Sequence, residues 1–101
     1  MKIIFSDIAI KSLQEIIVFL DERWSAKELQ VFHKDLEKLI QSFQDKLISY
    51  PLVKSDSQVR FALIGKKQVK VYFDCTSDRT EILLFLPSKG DPERIIRYLN
   101  N

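Results

Sequence analysis

The sequence has few of the residues on which many enzyme sites depend. It contains one cysteine, Cys75, and one histidine, His33, which excludes an intrachain disulfide and cysteine- or histidine-rich metal sites. Its two glycines, Gly65 and Gly90, are too far apart to form a P-loop or a dinucleotide-binding motif. No apolar run approaches the roughly 20 residues of a membrane span, and the opening MKIIFSD is not typical of a signal peptide. These absences favour a cytoplasmic protein without a cofactor.

The composition is that of an ordinary globular domain. The chain has 101 residues, of which 46% are hydrophobic and 30% charged, so we expect one domain over residues 1–101. The net charge of +2 is unevenly distributed, because residues 1–51 carry seven cations and eight anions, whereas residues 52–101 carry nine cations and six anions. A local excess of positive charge can steer an anionic partner.

The first half of the chain predicts a strand and two helices. The strand KIIF ends at Ser6, a good N-cap for the first helix, and Ser25 with Glu28 forms a capping box for the second. Pro51 predicts that the second helix ends near Ser49. The first helix has an apolar stripe of Ile10, Leu13, Ile17, Leu20 and Trp24. The second has Leu29, Phe32, Leu36, Leu39, Phe43 and Leu47, with Ile40 beside them. The short connection favours an antiparallel helix hairpin.

The second half alternates apolar and polar residues, as strands do. In VRFALIGKKQVKVYF, a three-residue GKK turn would pair Phe61 with Val71 and Arg60 with Tyr72. The helices would then cover the sheet face that carries Val59, Phe61, Leu63, Val69, Val71, Phe73 and Cys75. Arg60, Lys70 and Tyr72 would share the opposite, open face, and such a face is expected to bind a partner.

Two further segments complete the predicted fold. The run EILLFLP is apolar on both faces, which is typical of a central strand. The segment GDPERIIRYLNN predicts a short C-terminal helix with Asp91 as N-cap and Pro92 at its first position. The predicted class is therefore α+β: a strand, an antiparallel helix hairpin, a three-stranded antiparallel meander and a short C-terminal helix.

This order of elements resembles the RelE/ParE toxins of bacterial type II toxin–antitoxin systems. IIFSDIAIKSLQEIIVFLDERWS is similar to the family's opening strand and helix, and VFHKDLEKLIQSFQDKLISYP is similar to its second helix and terminating proline. VRFALIGKKQVKVYFDCTSDRTEILLFLPSKGDPERI resembles the Arg-headed strand, basic turn, final apolar strand and closing Asp-Pro motif. The specificity of this resemblance lies in the order and spacing of these segments over nearly the whole chain.

The resemblance implies one of two activities. A ParE-like member would inhibit DNA gyrase, with a contribution from the final segment, which here carries Lys89, Asp91, Pro92, Arg94 and Arg97. Lys89 stands where many relatives have an arginine, so the bidentate contact of a guanidinium is lost there. In either case a cognate antitoxin would wrap the toxin in a hetero-oligomer.

The alternative is a RelE-like endoribonuclease that cuts mRNA on the ribosome. In that case Arg60 and Lys70 would stabilise charge and Tyr72 would carry a proton. That branch usually has a late Tyr or His, and here the late candidate is Tyr98, which lies on no recognised motif. The departure favours the ParE-like branch. A third possibility is a non-toxic interaction or RNA-binding module on the same scaffold.

Simpler interpretations stand beside these for several residues. Lys66 and Lys67 are expected to be solvated residues of a turn. His33 borders an apolar stripe, and Cys75 is expected to be a small core residue. Three acidic residues around one turn could be read as a magnesium site, but turn chemistry explains them more simply: Asp74, Asp78 and Glu81.

Overall fold

The computed structural model describes residues 2–23, 25–45, 50–53, 58–76 and 78–88. In these ranges it is an α+β fold of two helices and a four-stranded mixed sheet. The elements are β1 (Lys2–Phe5), α1 (Asp7–Arg23), α2 (Ala26–Asp45), β2 (Val59–Ile64), β3 (Val69–Cys75) and β4 (Arg79–Pro87). The predicted C-terminal helix, the end of the second helix near Ser49, and the stripe residues Trp24 and Leu47 lie outside the described residues. No helix in the described part is long and apolar enough to cross a bilayer.

The sheet has the strand order β1-β4-β3-β2. The three later strands form the expected antiparallel meander, and β1 pairs with β4 in parallel, from Lys2 opposite Arg79 to Phe5 opposite Ile82. β4 is therefore a central strand, as its continuous apolar run indicates.

Both predicted helix starts are confirmed by hydrogen bonds. The Ser6 hydroxyl accepts a hydrogen bond from the Ala9 N–H at 2.9 Å, which satisfies one of the free amides of the first turn of α1. At α2, the Glu28 N–H donates to the Ser25 hydroxyl at 3.3 Å, and the Ser25 N–H donates to Glu28 Oε1 at 3.4 Å. Such reciprocal bonds define a capping box.

The two helices follow their predicted stripes to different degrees. In α2, Phe32, Leu36, Leu39 and Phe43 are buried as expected. The predicted α1 stripe is confirmed in part: Leu20 is buried and Leu13 and Ile17 pack against the core, but Ile10 is 47% exposed. The residues that α1 buries are Ala9, Ser12, Ile16 and Leu20. α1 packs mainly against β4, and the small side chains of Ala9 and Ser12 allow the helix to approach the strand closely. The spacing of large apolar residues in the sequence does not reveal this contact.

The β2–β3 hairpin differs from the prediction by one residue. Ile64 lies opposite Val69, so the turn has the four residues Gly65–Gln68, and Arg60 pairs with Phe73 instead of Tyr72. Gly65, Lys66 and Lys67 have φ angles of 62°, 58° and 66°, a left-handed conformation that only glycine adopts readily. A shift of one residue turns every side chain of a strand to the other face, so the predicted face of β2 is wrong.

Each face of the sheet supports its own apolar cluster. The helix-covered face joins Ala62, Ile64, Val71, Phe73 and Phe85 to the buried residues of both helices. The opposite face, here called the outer face, carries a smaller cluster built on Val59, Tyr72, Leu84 and Leu86, with Val53, Phe61 and Leu83 packed against it. The outer cluster makes the centre of this face more enclosed than the open surface expected from the sequence.

A β-bulge in β4 is held by two serines of the first half of the chain. The register between β3 and β4 shifts at Tyr72 and Phe73, so Leu83 is the extra residue. The Ser6 hydroxyl donates to the Leu83 carbonyl at 3.0 Å, and the Phe85 N–H donates to the Ser12 hydroxyl at 3.0 Å. β1 ends opposite Ile82, so these serines supply partners to β4 beyond the end of its parallel neighbour.

Candidate functional site

Lys70 and Tyr72 lie on the outer face beside Phe61. The Lys70 Nζ atom is 5.3 Å from the centroid of the Phe61 ring, within the range of a cation–π interaction. The Phe61 and Tyr72 rings are 6.3 Å apart between centroids, as expected for the directly opposed pair that they form across β2 and β3. The structure therefore brings together two of the three residues that the sequence placed on this face.

Tyr72 is an enclosed member of this group. Its side chain is 5% exposed, and burial raises the pKa of its phenol above the ordinary value of 10.0, because the phenolate loses hydration. A phenol of this kind holds its proton at neutral pH. It is thus poorly suited to act as a general base.

Arg60 lies on the helix-covered face, so the expectation that it shares a face with Lys70 and Tyr72 is wrong. Its cross-strand partner is Phe73, a fully buried residue of the main core. The Arg60 guanidinium donates through Nη1 to the backbone carbonyl of Tyr50. The one-residue change in the hairpin explains the correction, since it exchanges the two faces of β2.

A groove beside Arg60 separates α2 from β2. The Tyr50 ring packs edge-on against Phe73 with 5.3 Å between centroids, and its hydroxyl is 2.7 Å from the Ser42 hydroxyl. The groove has a volume of about 290 Å³ and is lined by Asp35, Lys38, Leu39, Ser42, Tyr50, Ala62, Leu63 and Ile64. Tyr50, Ser42 and Asp35 were not singled out from the sequence. Among them, only Tyr50 had a signal, its position before Pro51.

Lys66 and Lys67 are exposed at the hairpin turn, as expected. The turn is fixed by its neighbours: the Gly65 N–H donates to Asp35 Oδ2 at 2.8 Å, and the Ser88 hydroxyl donates to the Lys67 carbonyl at 2.7 Å. Two lysines in a left-handed conformation cost about 1–2 kcal/mol each. These hydrogen bonds help to hold the turn in place, and both lysines are exposed.

The other candidate residues from the sequence do not form a catalytic or metal-binding group in the described part of the chain. Cys75 is exposed, so the core assignment is wrong: its parity is inward, but it stands at the end of β3, with its Sγ 3.3 Å from Thr80 Oγ1. His33 is exposed beside Phe32. Asp78 accepts from Thr76 in a turn, and no described cluster of three or more His, Cys, Asp or Glu residues could hold a metal ion. Asp74 Oδ1 is buried and has no hydrogen-bond partner among the described residues.

The residues implied for target binding lie outside the described residues. They are Lys89, Asp91, Pro92, Arg94 and Arg97. Their assignment stays a prediction from the resemblance.

Comparison with protein-family models finds no match, and a search of curated proteins finds no significantly similar sequence. The resemblance to RelE/ParE toxins therefore depends on the order and spacing of elements within this chain.

The described surface has three features that a partner molecule could contact. It offers Lys70 on an aromatic platform, a basic turn and a groove between α2 and β2. A cleavage site needs a base, an acid and a charge-stabilising group aimed at one point. The proposed three do not meet that requirement, because one of them lies across the sheet from the others.

Proposed function

We propose that the chain is the toxin of a bacterial type II toxin–antitoxin system, with a RelE/ParE-like scaffold and a ParE-like mode of action. It would inhibit DNA gyrase in the cytoplasm by binding to it, and a cognate antitoxin would neutralise it in a hetero-oligomer. The support is the sequence resemblance over nearly the whole chain, together with an element order of strand, two helices and three antiparallel strands in the described part.

The observation that carries the choice between binding and cleavage is the separation of Arg60 from Lys70 and Tyr72. Arg60 donates to the Tyr50 carbonyl on the helix-covered face, whereas Lys70 stands over the Phe61 ring on the outer face. Metal-free RNA cleavage requires such groups to converge on one phosphate. In this geometry the three residues proposed for the RelE-like alternative do not converge on one point, which supports the proposal of inhibition by binding.

Inducible expression in a bacterial host tests the proposal. We expect growth arrest accompanied by gyrase-trapped DNA breaks, and relief of the arrest when the cognate antitoxin is co-expressed. Cleavage of transcripts within translated codons would instead support the ribosome-dependent endoribonuclease. Normal growth without any antitoxin would contradict both toxin activities and leave the non-toxic interaction module.

Matched arginine variants test where the activity lies. We expect the double variant Arg94→Ala and Arg97→Ala to relieve growth arrest, whereas Arg79→Ala, at an exposed position of β4, retains it. Circular dichroism and the soluble yield of each variant show whether folding has changed. Full toxicity of the double variant would contradict the assignment of the final segment.

Arg60→Ala separates a structural role from a catalytic one. We expect a loss of about 1–2 kcal/mol in the free energy of unfolding, because the Tyr50 carbonyl loses a charged donor, while gyrase inhibition by the folded protein is retained. Arg60→Lys keeps a donor and should recover part of the stability. Urea unfolding and gyrase supercoiling assays on the purified protein measure the two effects. Unchanged stability together with lost inhibition would contradict the structural role.

A further inference from the structure

Part of the edge of the sheet is already occupied by the protein's own chain. β2 is an edge strand, and the segment 51–53 runs antiparallel to it, with Leu52 opposite Arg60. The Val53 N–H donates to the Val59 carbonyl at 2.8 Å, and the Phe61 N–H donates to the Pro51 carbonyl at 3.1 Å. Residues 59, 61 and 63 thus direct their backbone groups away from β3, as the alternation of an antiparallel ladder requires.

Pro51 stops this pairing. In the ladder, the N–H of residue 51 would donate to the Phe61 carbonyl, but proline has no N–H. Three backbone groups then follow along the edge without a hydrogen-bond partner in the described part of the chain: the Phe61 carbonyl, the Leu63 N–H and the Leu63 carbonyl. We call this stretch the open edge. Unpaired groups on a strand edge are a template for another strand.

The surroundings of the open edge suit an extended peptide. On the helix-covered side lies the groove of about 290 Å³ between α2 and β2, which can accept alternate side chains of an added strand. On the outer side, the Leu63 side chain is 42% exposed and so is accessible to an added strand. An added strand would therefore have an apolar contact on each face.

Charge selects the kind of peptide. Four lysines surround the open edge: Lys38 lines the groove, Lys66 and Lys67 follow in the turn, and Lys70 lies opposite Leu63. The acidic residue of the groove, Asp35, already accepts a hydrogen bond from the Gly65 N–H. The local field is positive, which attracts acidic side chains and repels basic ones.

We propose that the open edge of β2 and the adjacent groove bind an extended, acidic segment of a partner protein as an added β-strand. Main-chain hydrogen bonds to Phe61 and Leu63 give the affinity, and the lysines give the preference for glutamate and aspartate. The inference stands apart from the proposed toxin activity, because it concerns the edge alone and holds for a partner of any function. Absence of growth arrest would not bear on it.

A synthetic peptide probe tests the proposal on the full chain. The probe is a short capped peptide in which glutamate alternates with valine, and its binding is measured by fluorescence anisotropy. We expect saturable binding and slower hydrogen exchange of the Leu63 amide in the complex. The same peptide with lysine in place of glutamate, or with alternate backbone amides N-methylated, should bind at least about tenfold more weakly, since it loses charge attraction or main-chain hydrogen bonds.

Protein variants locate the site. Leu63→Pro removes the outward N–H while leaving the ladder to β3 intact, because proline is tolerated on an outward-facing edge position, and it should lower affinity at least about tenfold. Lys38→Glu should lower affinity about fivefold, whereas Lys11→Glu, on the exposed surface of α1, should not change it.

Several outcomes would overturn the proposal. These are the absence of probe binding, equal binding of the N-methylated peptide, or an unchanged Leu63 amide in the complex. The N-methylated comparison uses the unmodified protein, so it remains decisive if Leu63→Pro fails to fold. Self-association of the chain that Leu63→Pro abolishes would assign the edge to a second copy, and would also overturn the proposal.

Discussion

A phenol enclosed by apolar side chains retains its proton to higher pH than a phenol in water. Tyr72 is such a group, since burial raises its pKa above 10.0. In the unfolded chain the phenol ionises near the ordinary value, while in the folded protein it stays neutral to higher pH. Its contribution to stability is therefore complete below about pH 10 and is lost as pH rises through the folded pKa.

We expect the free energy of unfolding to fall more steeply above pH 10 in the native protein than in Tyr72→Phe, which lacks the ionisable group. Urea unfolding at a series of pH values, compared with the absorbance of the phenolate, measures the effect. Tyr50→Phe is the matched control and should keep the steep fall. Identical pH profiles for Tyr72→Phe and the native protein would contradict a buried phenol at this position.

At the scale of single residues, the sequence predicts that a segment forms a strand better than it predicts the face of the sheet on which each side chain lies. The alternation in VRFALI indicates a strand, but it fits either face, because both sets contain apolar residues: Phe61 and Leu63 on one side, Ala62 and Ile64 on the other. The face of Arg60 depended on the length of the turn. That length depends on two lysines in a left-handed conformation, and no residue preference indicates this.

At the scale of elements, the attachment of α1 to β4 depends on a buried hydroxyl. Ser12 is 7% exposed, donates to the Ala9 carbonyl at 3.1 Å and accepts from the Phe85 N–H. In Ser12→Ala the Phe85 N–H would be left buried without an acceptor, and we expect a loss of about 2 kcal/mol in the free energy of unfolding. Urea unfolding followed by circular dichroism measures this loss.

Ser42→Ala is the control, because Ser42 has the same local geometry. Its hydroxyl is also buried and donates to the carbonyl three residues before it, that of Leu39. Its other partner, the Tyr50 hydroxyl, belongs to a half-buried side chain and can rotate towards water, so we expect a loss below about 1 kcal/mol. Equal losses in the two variants would contradict a special role of Ser12 at the bulge.

The elements themselves were largely predictable, since local signals define them. Ser6, Ser25 and Glu28 are capping residues whose side chains act within one turn, and the α2 stripe repeats at helical spacing. The burial of Ala9 and Ser12 in α1 was not predictable in the same way. Ala9 and Ser12 are buried because they fit against β4, and that fit depends on the bulge, which has no local signature.

At the scale of the whole molecule, one carboxylate joins the helix layer to the hairpin. Asp35 of α2 accepts from the Gly65 N–H across the edge of the sheet at 2.8 Å. We expect Asp35→Ala to lower the free energy of unfolding by about 1–2 kcal/mol, because the turn loses a charged acceptor, and Asp35→Asn to lower it less. Glu37→Ala, at an exposed position of α2, should have little effect. Thermal unfolding of the three variants measures the differences, and an equal Tm for Asp35→Ala and Glu37→Ala would contradict the link.

Local sequence patterns do not predict the order of the strands in the sheet. The sequence indicates a short first strand, but its partner is a matter of long-range packing, and β1 joins β4 in parallel. The residues of the candidate site show the same difference between local and long-range information. Lys70 and Tyr72 were placed together correctly because they lie on one strand, whereas Arg60 required the register between two strands.

The adjacency of β1 and β4 has a consequence for biosynthesis. Lys2 pairs with Arg79, so β1 has no neighbour in the sheet until almost all of the described chain has been translated. Contacts between residues so distant in the chain form late in folding. A polypeptide whose synthesis stops before β4 lacks the middle of its sheet, and such a fragment should be inert and readily degraded by cellular proteases.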